Sequence, residues 1–181
     1  MQAFRWENSV MEGLGYLPGG DMSHAYGISA DGEVVVGFSS LLTGAEAFRW
    51  TAAAGMVGLG YLPGGSWWSV ARDASADGSV IVGDAWDGSH SAVFVWDNAH
   101  GMRSLRNILT DDLGLDLGTW LLTAGYAVSD DGLTFAGYGI NPQGQDQAFV
   151  AHIPEPGTLA LLALGLLLVM VLATVGFVAV G

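Results

Sequence analysis

The chain of 181 residues contains no cysteine and no lysine. Without cysteine it can form neither a disulfide bond nor a thiolate nucleophile, although this leaves the redox compartment open. Its arginines and lysines number only five, against eighteen acidic residues, which gives a formal net charge of −13. Because nucleic-acid binding needs a basic patch, this composition argues against a nucleic-acid partner. The acidic surface is instead expected to keep a domain soluble or to contact basic partners.

Identical segments recur along most of the chain at spacings of 44 to 46 residues. They are GLGYLPGG at Gly13–Gly20 and Gly58–Gly65, AFRW at Ala3–Trp6 and Ala47–Trp50, and SADG at Ser29–Gly32 and Ser75–Gly78. A third, degenerate copy carries Phe94-Val95-Trp96 and Ser129–Gly132, and a fourth begins at Ala148–Val150. A period near this length, with four short strands in each unit, is typical of propeller blades.

The repeat predicts a mainly β domain over residues 1–152, built from antiparallel four-stranded units at about 3–46, 47–91 and 92–152. Three units and a fraction are fewer than the ~4–8 blades of an ordinary closed propeller. The sequence therefore predicts an incomplete, propeller-like arrangement. Since open strand edges invite pairing, we expect the final QAFVAHI strand at 147–153, or a partner, to cover the edge.

The glycine-rich segments are interpreted as turns. In LPGG, proline presets φ at the first corner, and glycine accepts the positive φ of a type II turn. A two-residue type I′ hairpin turn is predicted at the SADG-type segments, where Gly32, Gly78 and Gly132 should adopt positive φ. The competing interpretation, a phosphate-binding loop, needs a following helix and a cation. The residues that follow are strand-like and the chain has no lysine, so turns are favoured.

One stretch, GMRSLRNILTDDLG, departs from the strand pattern. The apolar residues Met102, Leu105 and Leu109 lie near helical spacing, and a glycine ends the stretch. A short helix is therefore predicted as an insertion between strands of the last unit. Arg103 and Arg106 are expected on its other side.

Tryptophans divide into two groups. Three occupy equivalent repeat positions and are expected in the core: Trp6, Trp50 and Trp96. Trp67 and Trp68 are not periodic, and as neighbours in an extended segment they should face opposite ways. One of them is expected to be exposed at a partner or glycan surface, where aromatic side chains are enriched. Together with Trp120, Arg103 and Arg106 they form the candidate interface.

Catalytic and metal-binding patterns are not recognisable in the sequence. The histidines are scattered, without metal-ligand spacing, at His24, His90, His100 and His152. The turn carboxylates Asp31, Asp77 and Asp131 lie a whole repeat apart and are not expected to converge on a calcium ion. We therefore expect no catalytic residue, no cofactor and no metal, and a protein that is not an enzyme.

The C-terminal part has the composition of a membrane span. Residues 157–181 carry no charged side chain, and Leu159–Val180 comprises 22 residues. As a helix this segment is about 33 Å long, which matches the hydrocarbon core of a bilayer. We therefore predict a single transmembrane helix over 158–181, joined to the β domain by a proline-rich linker at 153–157.

The orientation of this span does not follow from charge. The positive-inside rule needs flanking lysine or arginine, and the nearest such residue is the distant Arg106. The N-terminal residues MQAFRWENSV form no apolar signal region. We therefore expect either post-translational insertion or a precursor that starts upstream of Met1.

Taken over its whole length, the chain resembles a known family. AFRWENSVMEGLGYLPGGDMSHAYGISADGEVVVGFS is similar to the bacterial HAF-repeat proteins, which are typically exported. IPEPGTLALLALGL resembles the PEP-CTERM sorting segment, with its motif at Pro154, Glu155 and Pro156. The resemblance implies a propeller-like fold held on the periplasmic side of a bacterial membrane. The chain departs from the family in lacking an arginine cluster after the span, so the span is expected to be retained as an anchor.

These features lead to one expected function and one alternative. The first is a non-enzymatic, membrane-anchored β-repeat protein, acting as a structural or accessory subunit of a membrane-associated complex or cell-envelope assembly. Its partners would be the lipid bilayer through 158–181 and other membrane-protein subunits. The alternative is a surface module that binds a glycan or exopolysaccharide through exposed tryptophan.

Overall fold

A computed structural model describes residues 1–154, which consist mainly of β-strands. The strands described are β1 Phe4–Glu7, β2 Val10–Gly13, β3 Met22–Ile28, β4 Val35–Leu41, β5 Gly44–Thr51, β6 Gly55–Gly58, β7 Ser69–Ala74, β8 Val80–Trp86, β9 Ser91–Asp97, β10 Gly101–Ser104, β11 Leu121–Val128, β12 Thr134–Ile140 and β13 Asp146–His152. One helical segment follows β10, with an α-helical turn at Leu105–Asn107 and a π-helical turn at Ile108–Asp112. Glu155, Pro156 and the predicted span at 158–181 lie outside the described residues.

The strands form four antiparallel sheets that follow one another along the chain. β1 and β2 make a hairpin, β3–β6 and β7–β10 make two four-stranded sheets, and β11–β13 make a three-stranded sheet. The predicted mainly β, antiparallel fold with one short helical insertion is thereby confirmed. The sheets are offset from the sequence repeat, because AFRW at Ala47–Trp50 lies in β5, the third strand of its sheet. QAFVAHI likewise lies mostly in β13, which pairs with β12 and so does not cover the edge of β1.

In each of the last three sheets, the phenylalanine of the AFRW-type strand lies opposite a glycine of the preceding strand. The pairs are Gly37 with Phe48, Gly83 with Phe94, and Gly137 with Phe149. In all three, an added Cβ atom would lie 1.8 to 2.0 Å from a backbone oxygen of the first strand, and at Gly83 and Gly137 it would also lie 2.8 and 2.9 Å from Cε1 of the paired phenylalanine. Glycine is therefore required in the second strand of these sheets.

Buried serines join each repeat to the next. Oγ of Ser23 accepts the backbone N–H of Ala3 at 3.0 Å and donates to the carbonyl of Gly15 at 2.8 Å. Oγ of Ser69 accepts the N–H of Ala47 at 2.9 Å and donates to the carbonyl of Gly60 at 2.8 Å. The three residues of the second arrangement lie 44 to 46 positions after their equivalents in the first. Each GLG segment is thus attached to the first strand of the following sheet.

The LPGG segments are type II turns, as predicted. The N–H of Gly20 donates to the carbonyl of Leu17 at 2.9 Å, and Gly19 has φ of 84°. The second copy repeats this geometry, with φ of 82° at Gly64. Leu17 is buried, so each turn also contributes an apolar side chain to the core. The recurring glycine-rich phrase connects one sheet to the next.

The turns at the SADG-type segments differ from the predicted type I′ hairpin. Gly32, Gly78 and Gly132 have φ of 76°, 64° and 74°, but the preceding aspartates do not have positive φ. Oγ of Ser75 donates to Oδ1 of Asp77 at 2.8 Å and accepts the N–H of Val80 at 3.0 Å. These side-chain hydrogen bonds hold a loop that is longer than a two-residue hairpin turn. In this loop only the glycine has positive φ.

Most repeat-position tryptophans and phenylalanines lie in the core, and the exceptions are Phe4 and Trp6 of the first copy. Trp50 is buried with Phe48, and Trp96 is half-buried against the core between the two four-stranded sheets. Trp6 is exposed, which contradicts its predicted place in the core. The reason is that β1 pairs only with β2 among the described strands, whereas β5 lies between two strands.

The helical insertion begins later than the sequence pattern predicts. Met102 and Arg103 belong to β10, and helical backbone starts at Leu105. Leu105 and Leu109 are buried, as their spacing predicts, and they pack with Phe135 and Phe149 of the last sheet. Among residues 1–154, no helix is both long enough and apolar enough to cross a membrane.

Candidate functional site

The first strand of each of the last three sheets carries a β-bulge at the same repeat position. The bulged residues are Tyr26 in β3, Arg72 in β7 and Tyr126 in β11. A bulge bends the strand and re-aims one side chain. The guanidinium carbon of Arg72 lies 5.0 Å from the ring centroid of Tyr26, so bulged side chains of neighbouring sheets meet. Tyr26 and Tyr126 are both exposed.

Arg72 is half-buried and also forms an ion pair with the buried carboxylate of Asp84. Nε and Nη2 of Arg72 donate to Oδ2 of Asp84 at 3.1 Å and 2.8 Å. The other oxygen, Oδ1, accepts the N–H of Gly125 at 3.3 Å. Burial raises the pKa of Asp84, and the hydrogen bonds from Arg72 only partly oppose this effect. Both carboxylate oxygens accept hydrogen bonds, and the pair joins neighbouring sheets.

A groove lies between β1 and β3. Its volume is about 540 Å³, and its lining residues include Phe4, Trp6, Tyr26, Ile28 and Val35. Four of these five side chains are large exposed hydrophobics; the exception is Val35. An apolar surface of this kind on a folded domain is typical of an interaction site.

A second pocket, of about 400 Å³, lies beside the helical insertion. Two of the predicted interface residues, Arg103 and Arg106, are among its lining residues. Nη1 of Arg103 contacts Oδ2 of Asp112 at 2.9 Å. Nη2 of Arg106 donates to the carbonyl of Gly118 at 2.9 Å, and its Nη1 donates to the carbonyl of Trp120. Arg103 thus pairs with the end of the helical segment, and Arg106 holds the loop between that segment and β11.

The predicted interface tryptophans lie in different surroundings. Trp67 is about half exposed and adopts φ of 61°, with its ring 5.9 Å from the ring of Trp86. Trp68 is half-buried and forms an isolated parallel bridge with Ala45 of the preceding sheet. Trp120 is half-buried and packs against the core of the last sheet. The adjacent pair therefore differs in exposure, and Trp67 is the more accessible side chain.

The histidines bind local partners. Nδ1 of His90 lies 2.7 Å from Asp87, and Nδ1 of His100 lies 2.9 Å from Asp97. The ring of His24 stacks on Phe38 at 5.0 Å, and Nδ1 of His152 lies 3.0 Å from the hydroxyl of Thr134. Within residues 1–154 no group of three or more potential ligand side chains is positioned to hold a metal ion.

The SADG-type turns lie closer together than their sequence spacing suggests. The N–H of Ala30 donates to the carbonyl of Ala76 at 3.0 Å, and the N–H of Ala76 donates to the carbonyl of Asp130 at 3.1 Å. Each turn carboxylate is nevertheless used within its own turn. For Asp77, hydrogen bonds from Ser79 and Ser75 lower the pKa to about 2.

Sequence reasoning missed the bulged residues and the groove. Tyr26, Arg72 and Tyr126 each lie three positions before the serine of a SADG-type turn. Aligning the three copies on the serine of the SADG-type turn would have placed these residues at one structural position. Their different chemical types concealed the equivalence, because two are aromatic and one is basic.

No family model matches the chain, and no curated protein sequence matches it. Several solved structures resemble its fold, including two chains described as TolB. TolB from Acinetobacter baumannii superposes with a TM-score of 0.54 at 14% identity, covering 81% of this chain and 33% of that protein. A chain described as TolB of Agrobacterium tumefaciens gives a TM-score of 0.51 at 10% identity, covering 79% of this chain and 49% of that one. The chain thus spans between a third and a half of these proteins, and the likeness shows a propeller-like arrangement of β-sheets.

Proposed function

We propose that this protein is a non-enzymatic β-repeat scaffold that binds another protein within a membrane-associated or cell-envelope assembly. The observation that carries the proposal is the collection of large exposed hydrophobic side chains on the first hairpin and on the neighbouring strand β3. They are Phe4, Trp6, Val10, Met11, Tyr26 and Ile28. Aromatic residues and methionine are enriched at protein interfaces, whereas acidic residues, which dominate the charge of this chain, are depleted there.

The absence of enzymatic activity is part of the same proposal. Among the ion pairs of residues 1–154, that of Arg72 with Asp84 has the most buried carboxylate. Its hydrogen bonds connect the sheet of β7 and β8 with the sheet of β11. The histidines contact partners on their own or neighbouring strands and turns. A catalytic group would instead need a free proton acceptor or nucleophile facing a pocket.

Membrane attachment through 158–181, with the β domain on the periplasmic side, completes the proposal. The uncharged sequence after Pro156 and the family resemblance support it. Intact-mass measurement of the membrane-purified protein tests retention of the span. A mature chain that ends near Pro156 would contradict the proposed anchor, and accessibility of the β domain to protease only from the cytoplasmic side would contradict the proposed orientation.

Partner binding is tested by purification of the full-length protein from its own membranes in mild detergent. We expect a defined protein to co-purify with the unchanged chain and to be lost with the double variant Trp6→Ser and Ile28→Ser. Leu42→Ser is the matched control, because Leu42 is almost fully exposed but lies away from this surface, in the turn between β4 and β5. Equal co-purification with all three proteins would refute a role for the surface.

Glycan binding is the second candidate function, and it is favoured by the exposed Trp67. Its side chain is 48% exposed, and its ring lies beside that of Trp86. Such aromatic surfaces can stack on sugar rings. Retention on an immobilised polysaccharide that is lost in Trp67→Ala, but not in Trp6→Ser, would favour this function over protein binding.

A further inference from the structure

Strand β1 occupies the same repeat position as β5, β9 and β13, but its side chains are exposed. Phe4 is 57% exposed, whereas its equivalents Phe48, Phe94 and Phe149 are 0 to 1% exposed. Trp6 is 66% exposed, whereas Trp50 is 7% exposed. In the other sheets a second strand, such as β4, pairs with this position and covers the ring of the phenylalanine. Within residues 1–154, no strand occupies that place beside β1.

The neighbouring face of β3 is exposed in the same way. Ile28 is 56% exposed, whereas Ala74 and Val128 at the equivalent positions of β7 and β11 are 8% and 9% exposed. In those two strands the residue is covered by the preceding sheet, since β3 and β4 both contact β7 and β8 contacts β11. The groove between β1 and β3 therefore lies where the first two strands of a preceding sheet would pack.

The turn glycines give a third, independent sign of the same place. A Cβ atom at Gly78 would lie 2.4 Å from Cγ2 of Val34, and one at Gly132 would lie 2.8 Å from Cγ2 of Val80. Both valines belong to the preceding sheet or its hairpin loop. A Cβ atom at Gly32 would meet no atom within 4 Å. The contact that the repeat makes at the other two turns is therefore open at Gly32.

We propose that the edge of β1 that is unpaired within residues 1–154, beside this groove, binds a β-hairpin with the sequence pattern of the repeat's own first two strands. The incoming second strand would pair antiparallel with β1. By the register of β4 on β5, it would place a glycine opposite Phe4 and β-branched residues opposite Arg5 and Trp6. A valine just before that strand would fill the space over Gly32. The inference rests on the proposed protein-binding function and specifies the chemistry of the partner.

A second copy of this chain does not fit the site as well. Strands β3 and β4 of such a copy already form half of a sheet with β5 and β6, and β7 and β8 are held likewise by β9 and β10. Supplying either pair would require opening a core that contains Val36, Ile81 and Phe94. The occupant is therefore a hairpin that is free of these pairings, and recognition follows the strand-addition mode.

The test uses the full-length protein in detergent and a synthetic peptide with the sequence of residues 22–41. Isothermal titration is expected to show saturable binding with one peptide per chain. Phe4→Ala in the protein should weaken binding about tenfold or more, as loss of an aromatic residue at the centre of an interface does. Leu42→Ser should bind as the unchanged protein does, and a peptide of the same composition in scrambled order should not bind.

A fusion protein keeps the test decisive if the peptide is insoluble. Residues 22–41 joined to Met1 by a flexible linker should raise the melting temperature of the protein, and should not do so in the Phe4→Ala background. No binding and no rise in melting temperature would overturn the inference. Dimers abolished by Trp6→Ser, without peptide binding, would also overturn it, since the occupant would then be a second copy. Loss of the native partner in Trp6→Ser membranes tests the broader function separately.

Discussion

Replacing Gly78 with alanine tests whether the turn glycines serve the backbone alone or also the packing of sheets. Gly78 has φ of 64°, which side chains rarely adopt. In addition, the new Cβ would lie 2.4 Å from Cγ2 and 2.6 Å from Cβ of Val34 in the preceding hairpin loop. Gly32 is the matched control, because it has φ of 76° and no atom within 4 Å of the same position.

The two effects differ enough in size to be separated. Positive φ costs a residue with a side chain about 1–2 kcal/mol, so Gly32→Ala should lower the free energy of unfolding by that amount. Gly78→Ala adds overpacking against Val34, which typically costs a further ~1–3 kcal/mol. We therefore expect Gly78→Ala to lower the free energy of unfolding by about 2–5 kcal/mol.

Urea unfolding of the full-length protein in detergent, followed by tryptophan fluorescence, measures both changes. Val34→Ala in the Gly78→Ala background removes the nearest atom, so the double variant should lose less stability than the two single changes added together. Equal losses in Gly32→Ala and Gly78→Ala would refute the proposed contact between turns and sheets. No loss in Gly32→Ala would refute the role assigned to positive φ.

Three further predictions concern the hydrogen bonds between sheets and within turns. Ser69→Ala leaves a buried N–H and a carbonyl without their partner, so it should lower the free energy of unfolding by about 2–4 kcal/mol in urea unfolding, whereas Ser40→Ala, nearer the surface, should have little effect. Because the folded-state pKa of Asp77 is about 2, below its ordinary value of 3.8, its contribution to stability should be present above pH 4 and lost as the pH falls towards 2. A pH series of melting temperatures checks this, and Asp77→Asn should flatten that part of the curve. Arg72→Met leaves the carboxyl group of Asp84 buried without its cation and should cost about 3–5 kcal/mol. Adding Asp84→Asn should restore much of this loss, and an unchanged melting temperature in Arg72→Met would contradict the structural role of the pair.

Local sequence patterns predicted the local structure well. Proline followed by glycine specifies a type II turn through the dihedral preferences of two residues, and the turn at Pro18 and Gly19 forms as expected. Leu105 and Leu109 are buried on one side of a helical segment, as their spacing predicts. The hairpin turns were predicted less well, because Ser75 and Asp77 replace a type I′ geometry with a side-chain bridge.

Contacts between distant residues were not predictable in this way. The bulges at Tyr26, Arg72 and Tyr126 bring residues nearly 50 to 100 positions apart into one cluster, and no local pattern marks a bulge. The ion pair of Arg72 with Asp84, and its contact with Gly125 of the next sheet, also depend on how sheets pack. The candidate interface was therefore only partly anticipated: Trp67 is exposed, whereas Arg103 and Arg106 are engaged by the chain itself.

The sequence by itself determined the period, the mainly β character and the LPGG turns of this protein, because each depends on residues close together in the chain. Burial of the AFRW side chains was decided only by the tertiary structure. Phe4 and Phe48 occupy the same position in two copies of the AFRW segment, and both belong to β-strands. Phe4 is nevertheless exposed, whereas Phe48 is buried. The difference is made by β4, which pairs with β5 and has no counterpart beside β1 among the described residues. Whether an apolar side chain of this segment joins a core or stays exposed thus depends on a neighbouring strand that the segment itself does not encode.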